Sequence, residues 1–326
     1  MSPSAITLIL LAAVAHASWN LFSKQAGAAG AACFVWLYVT VGAIIYAPVT
    51  AVVIGVSRPR LSGLPAVFLA GTAAWHIGYT LLLQNGYRLG DLSVVYPIGR
   101  GTGALLAAVA GVVLLGERPG PVAAAGIALI VTGVLAIGLP GRRDQRSQSA
   151  SATTQPASAT AQPASAGPAA PAALPGSAAA QVRAAPAVQG TVFALLTGVC
   201  IAGYTVWDKY AVATLHTPPV VQDWATVAGV AVALAPVALR DRARLAGVWR
   251  SYRPQVLGAA VLVPLAYILV LTALRFTAVS VAAPSREVSV LFGVLLGRRL
   301  LGEGSLARRL AAAAAIVAGV LAVAVG

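Results

Sequence analysis

Ten runs of roughly 20 predominantly apolar residues follow one another along this chain. Each is long enough to cross the hydrocarbon of a bilayer as a helix. They fall near residues 4–22, 33–56, 65–86, 92–115 and 120–139, then 189–212, 219–239, 255–275, 279–297 and 306–325. Lipid offers no water to bond backbone amides and carbonyls, so a spanning segment must satisfy them internally, and runs of this length do so as helices. The charge content agrees. Only 9% of residues are charged, against about 25% in a soluble domain. The fold class expected is an all-α membrane protein with ten transmembrane helices. Pro48, Pro97, Pro236, Pro264 and Pro284 lie inside the runs, as neighbouring spans tolerate.

The formal net charge of +14 would suit a nucleic-acid partner, but most Lys and Arg residues sit in short loops between apolar runs. That is the distribution of topology signals, not of a phosphate-binding face. No nucleic acid is expected, and the lipid bilayer is the expected partner. A homodimer is compatible with this architecture but not required by it. Cys33 and Cys200 fall within apolar segments and read as small buried hydrophobes. The opening MSPSAITLIL lacks a basic region, so the first apolar stretch reads as a spanning helix.

The two halves repeat. Trp19 and Trp207 are 188 apart, Pro97 and Pro284 187, Arg88 and Arg275 187, and Glu117 and Glu303 186. The string LLGE ends at both Glu117 and Glu303. Five helices is an odd number, so the second copy enters the membrane from the other side. The organisation expected is two inverted five-helix repeats, 1–139 and 188–326. Between them, residues 140–187 form an Ala/Pro/Ser-rich linker. Its composition buries too little apolar surface to offset ordering entropy, so it is expected to be disordered. Inverted repeats recur in carriers, with the substrate site near the midplane between the halves. Charge counting places five cations on the face carrying both termini and fifteen on the other. By the positive-inside rule this puts the termini outside.

Particular strings carry a family resemblance. HASWN runs from His16 to Asn20, DLSVVYPIGR from Asp91 to Arg100, and VVLLGE ends at Glu117. GIALIVTGVLAIG spans Gly126 to Gly138, and AVSVAAPSRE spans Ala278 to Glu287. The chain resembles the drug/metabolite transporter superfamily, specifically its EamA-like ten-helix members. The resemblance covers nearly everything outside the linker. It implies an alternating-access carrier that exports or exchanges amino acids, other metabolites or drugs. It also implies cytoplasmic termini, opposite to the charge count. Small multidrug relatives carry an acidic residue in the first helix. Here His16 and Asn20 occupy its polar positions.

Ionisable groups within a bilayer usually face a cavity or each other. Arg100, Asp208, Arg286 and Glu287 are the clearest. Arg100 and Glu287 are 187 apart, hence equivalent positions expected to meet across the pseudo-two-fold axis, either lining the substrate path or clamping the halves. His16 and Asn20 share one face of the first helix, with Lys24 beyond them and Trp19 alongside. Tyr204 and Asp208 share a face of the sixth, beside Trp207. An interfacial Asp208–Lys209 pair is the alternative there. The third helix offers Trp75, His76 and Tyr79; Trp75 and Tyr79 share a face and read as part of an aromatic cavity wall, with an interfacial aromatic belt as the alternative. Tyr267 stands opposite in repeat terms, and Tyr96 should flank Arg100. Gln222, Asp223 and Trp224 read as interfacial, His216 as solvated, and Glu117 and Glu303 as helix caps. No metal spacing, cofactor motif or nucleophile–base set stands out. The expected function is a secondary transporter of a small polar, amino-acid-like metabolite or drug in the inner plasma membrane, working by export or exchange. A membrane enzyme acting on a lipid or isoprenoid carrier is the alternative, and a scaffold subunit a third.

Overall fold

The computed structural model describes residues 1–26, 31–89, 92–138, 176–289 and 306–326, less 28 side chains within them, those of 176–187 and 306–310 included. The described helices are α1 (Pro3–Ala26), α2 (Ala31–Ser57), α3 (Leu64–Leu89), α4 (Leu92–Leu115), α5 (Pro121–Gly138), α6 (Gly176–Ala213), α7 (Pro219–Ala238), α8 (Arg242–Leu274), α9 (Val279–Ser285) and α10 (Leu306–Val325). Among the described residues there is no strand. Seven of the helices, α1–α4 and α6–α8, are long and apolar enough to cross a membrane. Two shorter apolar stretches, Pro121–Ala136 and Ala314–Val325, lie in α5 and α10.

Helix packing displays the two-fold repeat directly. Exchanging the halves maps α1 onto α6, α2 onto α7, α3 onto α8, α4 onto α9 and α5 onto α10. The contacts α5–α10, α2–α7 and α4–α9 each map onto themselves, and α1–α8 maps onto α3–α6. Adjacent helices of one half, such as α1–α2 and α3–α4, touch far less. Each half therefore buries its apolar faces mainly against the other.

Two tryptophans make the symmetry visible at atomic level. Trp36 Nε1 of α2 donates to the Ala231 carbonyl of α7 at 2.9 Å, and Trp224 Nε1 of α7 donates to the Ala43 carbonyl of α2 at 2.9 Å. Donors and acceptors are both 188 apart in sequence. The termini meet on one face, with the Met1 amino group donating to the Ala324 carbonyl at 3.1 Å.

Close backbone approach explains why α5 and α10 are rich in small residues. A Cβ built on Gly126 would stand 2.6 Å from the Gly319 carbonyl oxygen, and one on Gly319 would stand 2.6 Å from that of Gly126. Only glycine permits this contact, the small-residue packing typical of membrane helices.

Three boundaries differ from the sequence reading. First, α6 begins at Gly176, so the last part of the expected disordered linker is helical. Alanine, the best helix former, dominates there; residues 140–175 lie outside the described set. Second, α8 begins at Arg242, capped by Asp241 Oδ1, which accepts from the Arg244 amide at 2.9 Å. Its first turns are arginine-rich and amphipathic, and Leu245, Val248 and Trp249 pack on an inner cluster. They escaped an apolar-window reading for that reason. The helix kinks at Tyr252 (φ −126°, ψ 25°), just before Pro254, whose ring conflicts with the carbonyl one turn back. Third, the ninth span was expected over 279–297. Its described part is helical to Ser285, turns at Arg286 and Glu287 and resumes; residues 290–305 lie outside the described set. Cys33 and Cys200 are both buried and unbridged, as expected.

Candidate functional site

The turn after α9 places two charges in the buried interior. There the Glu287 and Ser289 amides bond three residues back, to the carbonyls of Pro284 and Arg286. This tighter pattern presents Arg286 and Glu287 side by side, both nearly inaccessible. Arg100 reaches Glu287 from α4. Its Nε donates to Oε2 at 3.1 Å, and Nη2 lies 2.8 Å from Oε1. The side chains are 5% and 2% exposed. The equivalent positions of the two repeats thus meet across the pseudo-two-fold axis.

Arg286 is held differently. Its Nη2 donates to the Tyr204 hydroxyl at 3.3 Å, while its buried Nε has no partner. Among the described residues, no carboxylate lies within ion-pair distance of it. Around it stands an aromatic cluster. His76 stacks on Tyr204 at 4.3 Å between ring centroids, meets Tyr267 edge-on at 5.4 Å, and has Tyr79 at 6.5 Å. Tyr204 packs edge-on against Tyr79 and Tyr267 at 6.1 and 5.9 Å. The His76 ring is oriented by Nδ1 against the Thr72 carbonyl at 2.9 Å.

Asp208 closes the cluster on the α6 side and is fully buried. The Tyr267 hydroxyl donates to Oδ2, and Gln222 Nε2 donates to Oδ1 at 2.8 Å. The interfacial pair with Lys209 does not form. Lys209 turns instead to the carbonyls of Leu274 and Thr277, at 2.7 and 2.9 Å. Successive residues of a helix point about 100° apart, so neighbours in sequence need not pair.

His16 lies near this centre from α1, within electrostatic reach of Arg100 and Arg286. Its Nδ1 accepts from Trp19 Nε1 at 3.1 Å. Trp19 in turn packs 6.3 Å from Tyr38. Tyr96 lies one turn from Arg100 on α4 and within its electrostatic reach. The side chains of Asn20 and Lys24 lie outside the described set.

Two expected members stand elsewhere. Trp75 presses on Gly203 and Trp207 on Gly71, locking α3 to α6. Trp207 Nε1 donates to the Phe68 carbonyl at 2.9 Å, and its ring stacks on Phe68 at 4.2 Å. Both indoles line an apolar groove on the flank of the bundle. Trp75 and Tyr79 lie four apart on α3 yet meet different partners: Trp75 presses on Gly203, whereas Tyr79 packs beside His76 and Tyr204. Gln222 and Asp223, read as interfacial, are instead buried, and the Gln222 amide reaches the Phe68 carbonyl of α3 and Asp208 of α6. Asp223 Oδ2 and Gln222 Oε1 have no hydrogen-bond partner. Sequence reading missed Gln222 as a site residue, although a polar amide inside an apolar run was a usable signal. Tyr38 carried no such signal.

Glu117 is a cap, as expected. Its Oε1 and Oε2 accept from the Val279 and Ser280 amides at 2.6 and 2.7 Å, where the positive end of the α9 dipole emerges. Glu303 lies outside the described residues. His216 is exposed in the α6–α7 connection.

A ten-helix inverted repeat with buried charges on its axis and a broken helix beside them defines a polytopic membrane protein of transporter architecture. The EamA-like transporter family matches over residues 3–139 and 188–325, and the chain belongs to that family. It is therefore a membrane transporter of the drug/metabolite superfamily. The chain is similar in fold to a solved structure described as "Crystal structure of protein", with a TM-score of 0.69 and 16% identity, covering 99% of this chain and 96% of that one. No curated protein matches it.

Proposed function

We propose that this chain is a secondary carrier of a small polar metabolite bearing a carboxylate, such as an amino acid, moved by alternating access in export or exchange across the inner plasma membrane. The observation that carries this reading is Arg286. A guanidinium taken out of water needs a counter-charge. Arg100 has Glu287; Arg286 has a tyrosine hydroxyl and an unpartnered Nε. A substrate carboxylate supplies the missing charge and the missing acceptor in one group, with the geometry suited to arginine. The stacked His76–Tyr204 pair and Tyr267 offer flat faces to the rest of the molecule. Asp208, bonded by Tyr267, would be the counter-charge for a substrate cation.

The test is counterflow of labelled amino acids and other small carboxylates into proteoliposomes. Arg286→Gln should abolish uptake of the carboxylate substrate while the protein remains monodisperse. If Arg286→Gln transports it as well as the parent, or if only substrates without a carboxylate move, the reading fails.

A further inference from the structure

We propose that the flank of the bundle between α4 and α6 holds one anionic phospholipid in a built crevice. Two adjoining hollows form it. One is an open basin of about 520 Å³ whose border includes Lys209, Arg275, Thr277 and Glu117. The other is an apolar groove of about 720 Å³ lined by Trp75, Leu106, Val113, Val199, Val206 and Trp207. Leu115 and Tyr210 line both, so the hollows adjoin.

The basin lies where helices end. Glu117 follows α4, Thr214 follows α6, and residues 275–278 join α8 to α9. That is the level of lipid headgroups on the face carrying the termini. The groove descends along α6 from Tyr210 to Val199. At 1.5 Å per residue this is roughly 16 Å, about half of a 30 Å hydrocarbon core and so the depth of one leaflet. A polar head above an apolar slot one leaflet deep matches a phospholipid and no soluble metabolite.

The sign of the headgroup follows from the charges. Arg275 is exposed to the basin. Lys209 Nζ is fixed by two carbonyls, leaving one of its three N–H groups for a ligand. Glu117 is the opposing carboxylate, and both of its oxygens are engaged by backbone amides. Two cations therefore face one committed anion. Trp207 points into the groove while its neighbour Asp208 points to the centre, so the crevice is separate from the substrate site.

The experiment is native mass spectrometry of the full chain equilibrated with equal amounts of phosphatidylglycerol and phosphatidylcholine. The chain should retain phosphatidylglycerol preferentially. Arg275→Gln should lower that preference about fivefold, the factor for one cation near an anionic surface, without lowering total lipid. Ala110→Phe, which fills the groove, should lower retention of both lipids. Excess glycerol 3-phosphate should displace neither. Equal retention by the parent chain, undiminished preference in Arg275→Gln, displacement by glycerol 3-phosphate, or a dimer that Ala110→Phe separates would each overturn the proposal. Should either variant fail to fold, the parent's lipid ratio and the glycerol 3-phosphate competition decide alone.

Discussion

Replacing Glu287 by leucine tests the central pair most directly. The Arg100 guanidinium touches both carboxylate oxygens, at 3.1 and 2.8 Å, with side chains 5% and 2% exposed. Removing the acid leaves a buried cation without its partner, which costs about 3–5 kcal/mol. Replacing both residues by apolar ones of similar size, Arg100→Met with Glu287→Leu, removes the attraction and both desolvation costs together. Such exchanges are neutral or stabilising in other proteins. The double variant should therefore regain most or all of the stability that the single one loses. A third variant uses the symmetry. Arg100→Glu with Glu287→Arg exchanges the charges across the axis, so it should recover much of the loss as well. The assay is unfolding in mixed micelles titrated with SDS, followed by circular dichroism, with counterflow measured on the same preparations. A single variant within about 1 kcal/mol of the parent would show that water reaches the pair. A double variant no more stable than the single would show that the charge is not what the fold misses. Either result refutes the argument.

Gly126→Val should destabilise by at least about 1–3 kcal/mol, since the added carbons meet the Gly319 carbonyl; SDS unfolding measures it, and Gly319→Val should match. Trp36→Phe and Trp224→Phe each lose one hydrogen bond of the same length, so each should cost about 0.5–1.5 kcal/mol and the two costs should agree in the same assay. Glu117→Ala removes acceptors from two amides at the start of α9. It should cost about 1–2 kcal/mol, visible as a lower melting temperature in detergent. Asp208→Asn keeps the shape but removes the charge that Tyr267 and Gln222 bond. It should reduce counterflow of a zwitterionic substrate more than that of a simple carboxylate.

The fold was legible at the level of spans and symmetry. The long apolar runs have one physical solution in lipid, and α1 to α4 and α7 fall within a few residues of the segments read from them. The amphipathic start of α8 was not legible, because its arginines hide a helix from any search for apolar windows. The 188-residue offset between Trp36 and Trp224 was present in the sequence but went unread. Only their crossed bonds between α2 and α7 give it meaning. The Arg100–Glu287 pair was foreseeable from repeat spacing, because symmetry relates positions without coordinates.

What the sequence determined by itself is the class of solvent, the number of spans, the inversion and the pairing of equivalent positions. Those follow from hydrophobic length, odd helix count and a constant offset. Which side chains of one helix face the centre was decided by the tertiary structure alone. Trp75 turns to the flank while His76 and Tyr79 turn inward, and Trp207 and Asp208 part in the same way. In a helix that is apolar all round, periodicity no longer marks an inner face. Lipid and protein core are equally apolar, so packing geometry, here the Gly71–Trp207 and Gly203–Trp75 contacts, chooses the rotation.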